Sequence, residues 1–132
     1  MLEHVGDTSE GFRTAARWAL AALMLTAGAG HFLASDSFER IVPTWLPFRL
    51  ALVWGSGIVE ITFAFLLVLF PDQRRVVGRA LAVFFVAVFP GNIYQAVAGI
   101  STVGLRTPAE RWARIAAEPL LIAWALWSTK EP

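Results

Sequence analysis

Six side chains stand out as able to do chemistry in this chain: His31, Glu60, Asn92, Tyr94, Arg114 and Glu118. An acid beside a base is the usual apparatus of proton transfer. A few polar groups converging among apolar walls also suit a small amphipathic ligand. Glu60 is the most informative of the six, because it is the single charge in the run from Leu50 to Phe70, which contains GSGIVEITFAFLLVLF (55–70). Arg114 and Glu118 are four residues apart, so on a helix they share one face. Two carboxyls facing one guanidinium predict a coupled titration, with His31 as the second available cation.

Other chemistries find no support. The chain has no cysteine, hence no disulfide, thiolate metal site or CxxC redox pair. His4 and His31 are its two histidines, and no metal site is expected from them. No nucleophile motif, phosphate loop or HExxH is present. A net charge of +1 gives no reason to expect nucleic acid.

The elements that must position these groups are unusually apolar. Of 132 residues, 57% are hydrophobic and 16% charged, with a mean hydropathy of +0.60. Four apolar stretches run from Ala15 to Leu33, Leu50 to Phe70, Val76 to Ala98 and Pro108 to Trp127. Each is about 19 to 23 residues, which at ~1.5 Å per residue matches a hydrocarbon core of ~30 Å. A soluble bundle would place a polar stripe on each helix, and FAFLLVLF and LAVFFVAVF show none. The fold class expected is therefore all-α: a four-transmembrane-helix bundle, residues 15–128, with a short interfacial helix or loop between helices 1 and 2. Residues 1–14 and 129–132 read as tails. Ala27–Ala29 resembles a cleavage site, but Glu3, Asp7 and Glu10 precede the first base, Arg13, so the first stretch is read as a retained helix.

Arg13, Arg17, Arg74, Arg75, Arg79 and Lys130 lie at one end of these stretches, and Arg40, Arg49, Arg106 and Arg111 at the other. The excess favours a multi-pass cell-membrane protein with both termini cytoplasmic. Counting from the ends puts Glu60 ~15 Å deep, near mid-membrane. His31, Asn92, Tyr94, Arg114 and Glu118 all fall in the outer half, so one shared polar cluster is expected, with Arg114 between the two acids. Pro90 and Pro119 free the carbonyls of Val86 and Ile115 and predict kinks. SDSFERIVPTWLPFR (35–49) reads as an interfacial lid, with Ser35 or Asp36 capping a short helix and Phe38, Ile41 and Val42 facing the membrane. The small residues of TAGAG (26–30) and GSG (55–57) predict close approach of the first two spans.

GAGHF ending at Phe32, IVPTWLP (41–47), SGIVEI (56–61), VFPGNIY (88–94) and LLIAWALW (120–127), taken in order, resemble the DoxX-like family of small four-helix membrane proteins. The likeness covers about residues 17 to 128 and places the family's recurrent polar positions on His31, Glu60, Asn92, Tyr94 and Arg114. It also shows a departure. The last helix tends to read arginine-leucine-proline-leucine-glutamine in that family; here Ala116 stands at the proline, Glu118 at the glutamine, and the proline has moved to Pro119.

What the resemblance implies is an accessory or assembly protein of a membrane redox system, with a partner subunit or a homo-oligomer. The residues themselves suggest a non-catalytic protein that binds an amphipathic ligand, a quinone or a lipid. The alternatives are a membrane-embedded redox or isomerase enzyme, or a proton or small-solute transporter, using Glu60, Arg114 and Glu118. A plainer reading is that the buried pairs only hold the bundle in register, at ~0.6 kcal/mol each.

Overall fold

The computed structural model describes residues 2–102 and 105–130, with side chains from Ser9 onward. Helix α1 spans Leu2–Leu33, α2 Ser35–Arg40, α3 Arg49–Leu69, α4 Arg74–Ala98 and α5 Pro108–Ser128, and a single 3-10 turn at Pro71–Gln73 leads into α4. The described residues are thus almost wholly helical. Three of the four apolar stretches are matched to within two residues at either end by α3, α4 and α5. Helix α1 begins earlier, so the segment read as a tail is helical from Leu2. Both α4 and α5 run through their prolines as continuous helices.

The helix ends follow local chemistry. Thr107-Pro108-Ala109-Glu110 has the capping-box sequence, with Thr107 as the cap: its hydroxyl accepts from Glu110 N at 3.2 Å and donates to the Glu110 carboxylate at 2.9 Å, with Pro108 in the first turn. Gly99, at φ +70°, ends α4 in the left-handed conformation that glycine adopts without a Cβ penalty, and Ile100 N then reaches Gln95 O at 3.0 Å. Phe48 takes a left-handed φ of 56° where the 41–48 connection turns into α3.

Helix α1 packs chiefly on α3 and α4 chiefly on α5, and the two pairs share one apolar core of Leu20 and Met24, Ala64 and Leu67, Leu81 and Phe85, and Ala125. This core fills the half of the bundle next to the Pro71–Gln73 turn. Buried polar residues lie in both halves: Arg17, Ser128 and Thr129 at the core end, and His31, Ser37, Glu60, Gln95, Arg111 and Glu118 in the other half. Of the spans expected, α3 and the segment Pro71–Ala98 are long and apolar enough to cross a membrane. In α1, Arg17 and His31 dilute the hydropathy; in α5, Glu110, Arg111, Arg114 and Glu118 do so.

At the core end, arginines complete the last turn of α5. Arg17 Nη1 donates to Ser128 O at 3.2 Å and Arg74 Nε to Lys130 O at 3.3 Å, while Trp124 Nε1 donates to Ala16 O at 2.8 Å. Cations at a helix C-terminus satisfy orphan carbonyls and oppose the negative end of the dipole. Arg17 is 5% exposed, so its loss strands a buried carbonyl. Arg17→Met, which keeps the apolar stem, is expected to lower stability by about 2 kcal/mol in a micellar unfolding titration. Arg75→Met, at an exposed residue that has no bonded partner among the described residues, should leave the midpoint unchanged.

Candidate functional site

The site begins at a crossing of two glycines. A Cβ placed on Gly57 would lie 2.8 Å from His31 Cβ and 3.1 Å from Gly28 O; one on Gly28 would lie 2.7 Å from Ile61 Cγ1 and 2.9 Å from Gly57 O. Neither position admits a side chain. Residue numbers rise along α1 as they fall along α3, so the helices cross antiparallel. His31 and Glu60 each follow one of these glycines by three residues, about one turn, and the close crossing brings them together.

His31 Nδ1 lies 2.7 Å from Ala27 O and 2.9 Å from Glu60 Oε2. A carbonyl only accepts, so Nδ1 carries a proton and donates it to Ala27 O. Glu60 Oε2 is buried and off that N–H axis, so its contact with the ring is electrostatic and leaves the oxygen without a hydrogen bond. Both residues are 9% exposed. Phe38 of α2 stacks on the imidazole, with ring centroids 4.1 Å apart and planes at 20°. With Nδ1 engaged, Nε2 is the free polar atom of the ring. As imidazolium it donates; as neutral imidazole it accepts.

His31 lines a cavity of about 320 Å³ beneath residues 38–46. Its walls are Phe38, Ile41, Val42, Pro43, Trp45 and Leu46 from this covering segment, Leu52, Val53 and Ser56 from α3, and Ala87, Val88, Pro90 and Gly91 from α4. The connection over the cavity is tethered to α3 at Ser35, Glu39 and Val42. Arg49 donates to Glu39 O at 2.6 Å and Val42 O at 3.1 Å, and Trp54 Nε1 donates to Ser35 Oγ at 3.1 Å. Phe38, Ile41 and Val42, expected to face outward, line the cavity instead, because the stacking surface of His31 and the apolar flanks of α3 and α4 lie under α2. Ser35 and Asp36 do not cap α2. Ser35 Oγ turns back to donate to His31 O at 2.8 Å, and Ala34 stands at the cap position with no side-chain bond.

The second acid has a different partner. Glu118, 2% exposed, accepts from Arg114 Nη1 at 2.9 Å within α5, and its Oε1 has no partner. The guanidinium is therefore not shared between Glu60 and Glu118. Among the described residues Glu60 and Glu118 each have their own basic partner, because i,i+4 spacing gives Glu118 a local one while the glycine crossing gives His31 to Glu60. The single cluster expected from four helices is resolved into two pairs. Asn92 and Tyr94 are half-buried, make no side-chain hydrogen bond among the described residues, and are not among those lining the cavity. No grouping of three or more metal-ligating side chains occurs among the described residues.

The family model for a domain of unknown function, DUF8561, matches residues 20–129. The chain belongs to the DUF8561 family. No curated protein and no solved structure matches it. The DUF8561 region contains both ion pairs, the glycine crossing and the covering segment, while Arg17 precedes it. Family membership carries no activity here, so function must be argued from the site. Three residues of the DUF8561 region are not legible as site residues in the sequence. Helix α2 has six residues, too few for its period to orient Phe38. Ser56, between two glycines, has the signature of a packing residue. Arg111 adds to the charge balance, although Arg111, Arg114 and Glu118 repeat at the i, i+3, i+7 spacing of one helical face.

Proposed function

We propose that this DUF8561 chain is a multi-pass membrane protein that binds a small amphipathic ligand, a quinone or a lipid, in the cavity beneath residues 38–46, in a non-catalytic, accessory role. The observation that carries the reading is the cavity itself: apolar on nearly every side, with one histidine at its wall and a carboxylate behind that histidine. His31 Nε2 is suited to a ligand oxygen, donating to a carbonyl when the ring is charged and accepting from a hydroxyl when it is neutral.

The membrane setting, with α1, α3, α4 and α5 as four spans and both termini cytoplasmic, is part of this proposal. Only 28% and 22% of the two most apolar windows are buried within the chain, far too little for core helices of a soluble protein. Large apolar side chains such as Leu25, Ile58, Phe65, Val83, Val97 and Leu120 point outward on all four long helices. Outward-facing Thr26 and Thr62 donate to the carbonyls four residues back, at 2.8 and 2.7 Å, as hydroxyls without water around them do. The likeness to DoxX-like proteins agrees with this and supplies the accessory redox role, with a partner subunit or a second copy as its context. The catalytic and transport alternatives drew on Glu60, Arg114 and Glu118 acting together, and those groups now have separate partners.

Fluorescence tests the reading. In maltoside micelles, a short-chain benzoquinone or a brominated phospholipid should quench tryptophan emission saturably, and Trp45→Phe should remove most of that component. His31→Gln is expected to weaken binding about tenfold, equivalent to about 1.4 kcal/mol. Linear, non-saturating quenching by both probes, identical in the variants, would defeat the proposal.

A further inference from the structure

On the far side of α2 from this cavity lies a second, polar cleft of about 320 Å³, lined by Ser37, Arg40, Ser101, Thr102 and Arg106. From its geometry we propose a binding site for a phosphate group, separate from the amphiphile cavity and independent of its occupant.

Its charge is uncompensated locally. Among the described residues, Arg40, Arg106 and Arg111 have no carboxylate within ion-pairing distance; the acids on the nearby elements are Asp36, Glu39, Glu110 and Glu118, of which the Glu110 carboxylate is engaged by the Thr107 hydroxyl and Glu118 by Arg114. Arg111 is 7% exposed, its Nη1 donates to Ser101 Oγ at 3.3 Å, and its Nε has no partner. A buried guanidinium left without a counter-charge is costly unless an anion completes it.

The hydroxyls are held from behind. Gln95, 1% exposed, donates one amide proton to Thr102 Oγ1 at 2.8 Å and the other to Ile100 O at 3.1 Å. Arg40 Nη2 donates to Ser37 Oγ at 3.0 Å. Thr102 and Ser37 therefore accept through oxygen and keep their own protons to donate, whereas Ser101 directs its proton to Arg106 O at 3.3 Å. Two exposed guanidinium groups and two hydroxyl protons, with a third arginine fixing the wall, form a donor set for tetrahedral oxyanions. The phosphate belongs either to a lipid headgroup or to a free ion.

The experiment uses the full-length chain in maltoside, titrated separately with inorganic phosphate and with short-chain phosphatidic acid, against sodium chloride at equal ionic strength, and followed by calorimetry. The expected result is saturable binding weakened at least tenfold in Arg40→Gln/Arg106→Gln and unchanged in Arg75→Gln at the opposite end of the bundle. Binding of both probes assigns the site to the phosphate group itself, and binding of phosphatidic acid alone assigns it to a lipid headgroup. Failure of both probes to bind, or an equal loss in Arg75→Gln, would overturn the proposal. Unchanged benzoquinone quenching in the double variant separates this site from the cavity.

Discussion

Gly57→Leu is expected to separate α1 from α3, whereas Gly55→Leu, two residues away in the same GSG, should leave the bundle intact. Space decides the difference. A Cβ at Gly57 meets His31 Cβ at 2.8 Å, Phe32 Cε2 at 2.9 Å and Gly28 O at 3.1 Å, and a Cβ at Gly55 meets nothing within 4 Å. The obstruction at Gly57 includes helix backbone, which cannot move aside as a side-chain tip does. Overpacking of a tight site costs about 1–3 kcal/mol where side chains can shift, and the backbone contact puts Gly57→Leu at or above the top of that range. Unfolding titrations of both variants in micelles check this, and equal stabilities would contradict the crossing. Gly28 has the same constraint from the other helix, while Gly30 has only ordinary contacts with Phe38, the nearest at 3.7 Å.

Breaking the His31–Glu60 pair should give an asymmetric result. His31→Leu leaves a buried carboxyl with no cation, a change expected to cost about 3–5 kcal/mol. In Glu60→Leu the histidine keeps its hydrogen bond to Ala27 O and can remain neutral, so about 1 kcal/mol is expected. The double variant replaces both polar groups by apolar ones of similar size and should fall close to the wild type, giving a large coupling energy in the cycle. Additive losses would mean that the two groups do not act as a pair.

These two expectations also mark what could be read from the sequence. The bounds of α3, α4 and α5 were legible because predominantly apolar runs end at charges, at the Pro71 turn, at Gly99 and at Pro108. The shared height of His31, Glu118 and the other polar residues in the half away from the Pro71 turn was legible too, since counting along helices fixes height, although the buried Arg17, Ser128 and Thr129 lie at the opposite end. Partner choice was not. Height does not say which helices cross closely, and among Gly28, Gly30, Gly55 and Gly57 only the facing pair Gly28 and Gly57 sets the contact that gives Glu60 its histidine. With that crossing unknown, Arg114 can neutralise either acid, and the other is left to protonation, to a charged His31 or to a cationic ligand; the crossing selects His31 for Glu60. The covering segment failed for a related reason: both faces of α2 are available to neighbouring structure, so amphipathicity could not orient Phe38. The polar start of α1 carries only Gly6 and Gly11 as weak breakers, and the helix runs through them.

The central claim is that a small amphiphile sits beneath the covering segment against His31. Gly91 lines that cavity, and a Cβ there has a single neighbour, Ile41 O at 3.8 Å, so a larger side chain can enter the space without forcing the helices apart. The most direct measurement is native mass spectrometry of the chain released from mild detergent, comparing the wild type with Gly91→Leu and Gly55→Leu. The account predicts one retained small amphiphile per chain in the wild type and in Gly55→Leu, and its loss in Gly91→Leu at unchanged melting temperature. Equal retention in all three, or no retained molecule in any, would contradict it.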